Sequence, residues 1–220
     1  MEYQDWGLMH YAEAWDRQKT LFNQRLEAKQ QAGNPLPDLL CCVEHHPVLT
    51  LGKSGKLENL LVSPELLQTR GVEFFPIDRG GDITFHGPGQ IVMYPIFDLE
   101  HYRIGLKEYI WRLEEAVIRT LAAYRIQGER LPGATGVWID PYGARPRKIC
   151  AIGVKASRYV TMHGLALNVN TDLSYFGLIN PCGFTDKGVT SFERELCYPQ
   201  DIEAIKRLLR AKFEQLFPME

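Results

Sequence analysis

The chain has 220 residues, 25 Lys+Arg against 27 Asp+Glu, a formal charge of −2, 45% hydrophobic and 24% charged residues. This balance excludes a disordered or collagen-like chain, and a near-neutral total argues against a dedicated nucleic-acid binder. No run approaches the roughly 20 apolar residues of a membrane-spanning helix.

The first segment places Leu8, Tyr11, Trp15, Phe22 and Leu26 at helical spacing, and Gly33-Asn34-Pro35 breaks it. Strand-like runs follow at Leu39–Glu44, Val48–Leu51, Glu73–Ile77 and Gln90–Asp98, with Pro95 marking the last as an edge or a bulge. Leu106, Ile110, Leu113, Val117, Leu121 and Tyr124 define a helix over 105–125, with Glu108/Arg112 and Glu115/Arg119 as i,i+4 pairs. Strands are expected at Thr135–Ile139, Lys148–Val154 and Val160–Val169, the first two joined by the turn Asp140–Arg147, and a final helix over about 200–214. Helices at both ends and strands between predict one α/β or α+β domain over residues 1–220, built on a mixed sheet flanked by helices.

The N-terminus lacks the basic start and apolar run of a signal peptide, which predicts a cytoplasmic protein. The five cysteines, Cys41, Cys42, Cys150, Cys182 and Cys197, then read as reduced thiols. Familiar signatures fail on counting. Gly52-Lys53-Ser54 lacks the first glycine of a phosphate-binding loop, Gly87-Pro88-Gly89 lacks the third glycine of a dinucleotide fingerprint, and no C-x-x-C or H-E-x-x-H occurs. His45 and His46 are adjacent on a strand and point to opposite faces, a poor metal pair.

Three segments stand out. Arg79–Gln90, RGGDITFHGPGQ, is either a hairpin with a glycine-rich connection or a loop lining a substrate channel. Lys148–Val154, KICAIGV, and Met162–Asn168, MHGLALN, are apolar strands interrupted by Gly153 and Gly164, suggesting a bulge or a groove that admits an apolar chain. Lys148 at a strand head is either a snorkelling surface lysine or a site residue. In Ile179–Gly183, INPCG, Cys182 between Pro and Gly is either an inconsequential turn thiol or a nucleophile beside exposed amides. Cys150, in mid-strand, reads as packed.

Together with Glu44-His45-His46-Pro47, Thr50-Leu51-Gly52, GVWID, MHGLALNVNTDL and VTSF, these segments resemble the lipoyl(octanoyl) transferase family over most of the chain. The resemblance implies the biotin/lipoate protein ligase catalytic-domain fold. It implies transfer of an octanoyl group from acyl carrier protein to a lysine on lipoyl domains of 2-oxoacid dehydrogenase complexes and on glycine cleavage H protein. It makes Cys182 the acyl-bearing nucleophile and Lys148 its activating partner. The substrate-contacting segments fall on Arg79, Gly80, Gly81, Asp82, Ile83, Thr84, Phe85 and His86, on Ala151, Ile152 and Gly153, and on Gly164, Leu165 and Ala166. No cofactor or metal, no nucleic acid and no membrane are expected. Thioester exchange followed by aminolysis runs downhill without ATP, which matches the missing phosphate-binding motif.

Residues 141–171 carry Arg145, Arg147, Lys148, Lys155 and Arg158 and no acid, a candidate docking face for an acidic carrier, with Lys155 and Arg158 as its principal charges. Rival readings are a cysteine hydrolase using His163 or His86 as base, an ATP-dependent lipoate ligase, and a non-catalytic carrier- or lipoyl-domain-binding module.

Overall fold

The computed structural model describes residues 1–31, 36–180 and 187–218. Strand β1 (Glu2–Met9) leads into helix α1 (Tyr11–Gln30), followed by β2 (Leu39–His45), β3 (Val48–Leu51), helix α2 (Pro64–Thr69), β4 (Glu73–Pro76), β5 (Ile83–His86) and β6 (Gln90–Ile96). Helix α3 (Leu106–Ala123) precedes β7 (Gly128–Leu131), β8 (Ala134–Ile139), β9 (Arg147–Ser157), β10 (Val160–Asn168), β11 (Gly188–Val189), and helices α4 (Phe192–Leu196) and α5 (Ile202–Leu216). The large sheet runs β1-β2-β6-β10-β9-β8-β7, with β11 added to β9, and is mixed because β1–β2 and β9–β11 are parallel. A smaller sheet runs β4-β3-β5.

Two faces of the large sheet bury different layers. Leu40, Ile91, Met93, Ile149, Cys150, Leu165 and Leu167 pack against Leu113 and Val117 of α3 and Leu209 and Phe213 of α5. On the opposite face Cys41, Val43, Val92, Tyr94 and Ala166 meet Met9 at the end of β1 and Ala14 of α1. The small sheet has its own cluster, in which Leu49, Phe85 and Ile83 pack with Leu178 and Ile179. In α3 the expected ion pairs form, Arg112 Nε donating to Glu108 and Arg119 Nε to Glu115.

The first helix begins later than the spacing predicts. Leu8 lies on β1 and is 55% exposed, because residues 2–9 pair in parallel with β2 instead of coiling. The break at Gly33-Asn34-Pro35 lies outside the described residues. RGGDITFHGPGQ is not a hairpin, since β5 pairs with β3 while β6 enters the large sheet between β2 and β10.

Pro95 therefore sits on an interior strand, not at an edge. The β6–β10 ladder stops at Leu165↔Met93. Beyond it, Pro95 O accepts from Thr161 Oγ1 (2.9 Å), and the N–H of His163 turns away to Gln18 Oε1 of α1 (3.0 Å). His163 adopts φ 59, so the strand is locally distorted where proline has no N–H to offer. Gly164 is required there for close approach: a Cβ would lie 2.1 Å from Met93 O and 2.6 Å from Pro95 Cδ.

His45 and His46 do face different surroundings. His45 is buried, donating through Nδ1 to Met9 O (3.1 Å) and accepting at Nε2 from Tyr94 OH (2.7 Å), while His46 stacks on His10. Burial pushes the His45 pKa down to about 4.

Two outcomes follow from these contacts. Gly164→Ala forces backbone apart between two central strands and should cost about 1–3 kcal/mol, read as a lowered Tm. His45 stays neutral when folded but protonates near 6.5 when unfolded. Its contribution is complete above about pH 6.5 and is lost toward pH 4, by at most about 1.4 kcal/mol per pH unit. Urea denaturation at pH 7.5 and 5.0 should show a smaller loss in His45→Gln than in the native chain; equal losses would assign the acid sensitivity elsewhere.

Candidate active site

A cavity of about 440 Å³ lies between the small sheet with its 79–82 loop and the α1-facing side of the large sheet. Its floor is laid down by strand register. Val92, Ala166 and Ala151 stand in one row across β6, β10 and β9, and Gly164 and Gly153 pair in the next. Tyr11, Gln90 and His163 form a buried inner part, whereas Ser54, Gly133, Thr135 and Gly188 lie at the exposed rim.

Lys148 reaches this cavity because of a bulge. Cys150 pairs with Val137 but Lys148 with Trp138, so Ile149 is an extra residue on β9. Cys150, Ile152 and Val154 all pack toward the α3 side, and unbroken alternation would send Lys148 the same way. With Ile149 also turned into that core, Lys148 joins Ala151 and Gly153 on the cavity side. Its ammonium lies 4.7 Å from the centroid of the Trp138 ring, a cation–π contact. β11 pairs with β9 at the same place, Val189 opposite Lys148, and Thr190 N–H donates to Lys148 O (2.9 Å).

The segment that holds Cys182 and Gly183 lies outside the described residues. Its described flanks are anchored. Asn180 N–H donates to Asn59 O (2.8 Å), and Lys187 lines the cavity ahead of β11. The other cysteines behave as packing or surface thiols: Cys41, Cys42 and Cys150 are buried, and Cys197 is exposed. Burial pushes Cys41 and Cys42 up to about 12 and raises Cys150 further, which makes Cys150 a poor nucleophile.

The 79–82 loop is clamped by a buried cation. Arg79 donates to Thr50 O (2.8 Å), Thr50 Oγ1 (3.0 Å) and Gly80 O (3.0 Å). Gly80 N–H donates to Val154 O (2.9 Å), docking the loop on β9. Gly153 exists for that docking: a Cβ there would meet Gly80 O at 2.7 Å and Arg79 Cδ at 3.0 Å. Gly52 likewise would strike Gly81 O at 2.3 Å. Gly153 and Gly164 thus serve close backbone packing, while Ala151 and Ala166 leave the groove its width. Asp82 accepts from Asn59 Nδ2 (2.7 Å) and from Ile83 N–H (2.6 Å).

Of the residues the sequence singles out, Lys148, Arg79, Gly81, Asp82, Ile83, Thr84, His86, Ala151, Ile152, Gly153, Gly164, Leu165 and Ala166 line one cavity. Phe85 and Gly80 do not. Phe85 stacks on Tyr175 in the small-sheet core (4.7 Å between centroids), and Gly80 backs the wall. Sequence reasoning missed Trp138, Tyr11 and Tyr94, and gave no individual role to Gln90 and Asn168 at the ends of the segments it singled out. The last two were within reach as polar residues at the ends of apolar strands: Gln90 Nε2 donates to Asn168 Oδ1 (2.9 Å), and Asn168 Nδ2 to Thr190 O (3.0 Å).

Both histidines line the cavity, and each is engaged by other side chains. His86 is held by Gln90 Oε1 (2.8 Å) and Thr50 Oγ1 (3.4 Å), and burial pushes it down to about 3. His163 pairs with Val154, six residues along β9 from Lys148, with its Nε2 on Asp78 (3.1 Å). Burial lowers His163, and the His163 hydrogen bond, reinforced by Lys155, holds Asp78 well below the usual carboxylate range. Lys155 is ion-paired, its ammonium donating to Asp78 (2.6 Å). Arg147 is similarly engaged, bidentate on Glu195 (2.7 Å each), whereas Arg145 and Arg158 are exposed. Among the described residues no metal-binding cluster of His, Cys, Asp and Glu occurs, and no helix is long and apolar enough to cross a membrane.

A family model for the lipoyl protein ligase A/B catalytic domain matches residues 10–214. The octanoyltransferase of Parabacteroides distasonis is 59% identical over 216 residues, covering 98% of this chain and 97% of that protein. The octanoyltransferase of Bacteroides fragilis is 55% identical over 205 residues, covering 93% and 92%. Among solved structures, a bi-partite lipoate protein ligase from Thermoplasma acidophilum superposes with a TM-score of 0.71 at 14% identity, covering 98% of this chain and 82% of its own. Lipoate-protein ligase A bound with ATP gives 0.70 at 14%, covering 98% and 85%. At such identities the structures establish the shared fold, and the sequence relatives establish kinship: the chain belongs to the octanoyltransferase family, within the lipoyl protein ligase A/B catalytic domain.

Proposed function

We propose that this protein is an acyltransferase that moves an octanoyl group from octanoyl-acyl carrier protein, through a thioester on Cys182, to the ε-amine of a lysine on lipoyl domains. Lipoyl domains of 2-oxoacid dehydrogenase complexes and glycine cleavage H protein are the acceptors in this reading, and the cytoplasm is its setting. The observation that carries it is the placement of Lys148: a bulge turns this cation out of the core into a cavity floored by Val92, Ala151 and Ala166.

An octanoyl tail has seven carbons beyond its carbonyl. At about 0.8 kcal/mol per buried CH₂, the cavity can supply on the order of 5 kcal/mol to hold the thioester in place. Arg79–His86, Ala151–Gly153 and Gly164–Ala166 contact the acyl chain in this reading, with Phe85 and Gly80 acting from behind the wall.

Chemically, the thiolate of Cys182 attacks the donor thioester carbonyl, and the carrier's thiol leaves with a proton. The acceptor amine then attacks the new thioester, giving an amide and returning the thiol. An unperturbed thiol near 8.5 is only a few per cent ionised at neutral pH, so a nearby cation speeds the first step. The same amine, once neutral, can take the proton of the incoming lysine. Two such groups titrate as a pair. No phosphoryl activation is needed, which separates this reading from an ATP-dependent ligase on the same fold.

Intact mass spectrometry after incubation with octanoyl-acyl carrier protein tests the assignment. The expected product is a hydroxylamine-labile octanoyl adduct that survives Cys150→Ser, disappears in Cys182→Ser and is lost or severely slowed in Lys148→Ala. An adduct on Cys150, or undiminished transfer by Lys148→Ala, would overturn it.

A further inference from the structure

Behind the Lys148 bulge lies a carboxylate that the reaction as described does not use. Glu114 sits on the core-facing side of α3 among Leu113, Val117 and Leu121, and is only 8% exposed. A buried acid on an apolar helix face is costly unless its oxygens are engaged. Both are. Oε1 accepts the backbone N–H of Gly136 (3.0 Å), and Oε2 accepts from Arg130 Nε (3.0 Å).

Gly136 lies within the β7-side irregularity of β8 and one residue from the β9-side one. Its ladder to β9 shifts between Val137 and Trp138, and its ladder to β7 shifts between Glu129 and Leu131, leaving Arg130 opposite residues 135–137. Glu114 therefore stands in for a strand partner at the point where regular pairing fails, and the residue out of register on β7 closes its second oxygen. Gly136 has φ 122, and a Cβ there would strike Cys150 O at 2.5 Å and lie 3.5 Å from Lys148 Cδ and Cε. The alkyl arm of Lys148 thus lies against Gly136, with its ammonium over Trp138 two residues on. Arg130 also donates to Glu115 (2.8 Å) and to Trp111 O (2.9 Å), so the β7–β8 hairpin is pinned to α3 from beneath.

We propose that Glu114 is a positioning residue for Lys148, fixing the bulged β8 backbone through the Gly136 N–H so that the ammonium is presented to the cavity. This rests on the catalytic role given to Lys148 above. Glu114 touches no reacting atom; it acts through the backbone on which the Lys148 arm and the Trp138 ring rest.

The test compares Glu114→Leu, which removes the acceptor, with Glu114→Gln, which keeps a carbonyl oxygen for the Gly136 N–H. Octanoyl transfer is measured against pH, with rates scaled to the folded fraction. Glu114→Leu should lower kcat about tenfold to a hundredfold, as expected when a reacting group is misplaced by an ångström or so. KM for the acyl donor should be little changed, and the acid limb of kcat/KM should move to higher pH because the cation no longer favours the thiolate. Glu114→Gln should recover most of kcat and restore the limb. The proposal is overturned if Glu114→Leu stays within about threefold of the native kcat, if its activity falls with the acid limb unmoved, or if Glu114→Gln does no better. Should Glu114→Leu not fold, Glu114→Asp, which withdraws the carboxylate by one methylene, decides by the same readings. Lys148→Ala is assayed in parallel. If it retains transfer, the catalytic reading itself fails; if it abolishes transfer while the Glu114 variants are native-like, only the positioning role fails.

Discussion

Side chains along a strand alternate, and the function proposed for this chain depends on one break in that alternation. Lys148 has the parity of Cys150, Ile152 and Val154, which face the helical core. An ammonium driven into that core would lose its hydration among Ile149, Leu167 and α3. One extra residue, Ile149, changes the outcome: both Ile149 and Cys150 turn inward, and Lys148 emerges on the other face with Ala151 and Gly153. Cys150 needs no such break: it keeps the parity of Ile152 and Val154 and is held at zero exposure in the same core.

The second constraint is how the small sheet meets the large one. A cavity between two sheets needs them joined along one side and apart along the other. Here the joint is backbone on backbone: Gly80 N–H on Val154 O, with Gly153 and Gly52 lacking the Cβ atoms that would hold the loop off. Arg79 locks it from within by donating to Thr50 O on β3. Beyond the joint, alanines at positions 151 and 166 leave width for a flexible apolar occupant. The glycines and alanines of KICAIGV and MHGLALN, alike as small residues, thus have distinct tasks.

Much of this was legible in the sequence. The helix over 105–125 and the strands around β2, β9 and β10 follow from periodicity, because each buries a continuous apolar stripe. β1 was not legible: Glu2–Met9 is an outer strand whose side chains are mostly exposed, so its alternation carries little hydrophobic signal. The role of Pro95 was half legible, since the distortion it implies falls on its neighbour β10 at His163. Lys155 reads as a surface charge in a basic stretch, but its partner Asp78 is 77 residues away in sequence and no local pattern reveals it. Trp138 was hidden for a similar reason, as its ring meets Lys148 only after the register shift that periodicity cannot detect.

Glu114 is the clearest instance of what a single sequence conceals. In LEEAV it reads as one of two adjacent acids on a helix, with Glu115 forming the expected i,i+4 pair to Arg119. The two acids point to different worlds. Glu115 pairs with Arg119 near the surface, while Glu114 caps a backbone amide in the stretch that the β7–β8 ladder skips. A bulge that re-aims a side chain necessarily disturbs backbone pairing nearby, and each buried group so disturbed must find another partner or be left at a cost of about 1–3 kcal/mol. Glu114 satisfies the Gly136 amide where the β7–β8 ladder skips residues 135–137, on the same strand whose next residues meet the β9 bulge that frees Lys148.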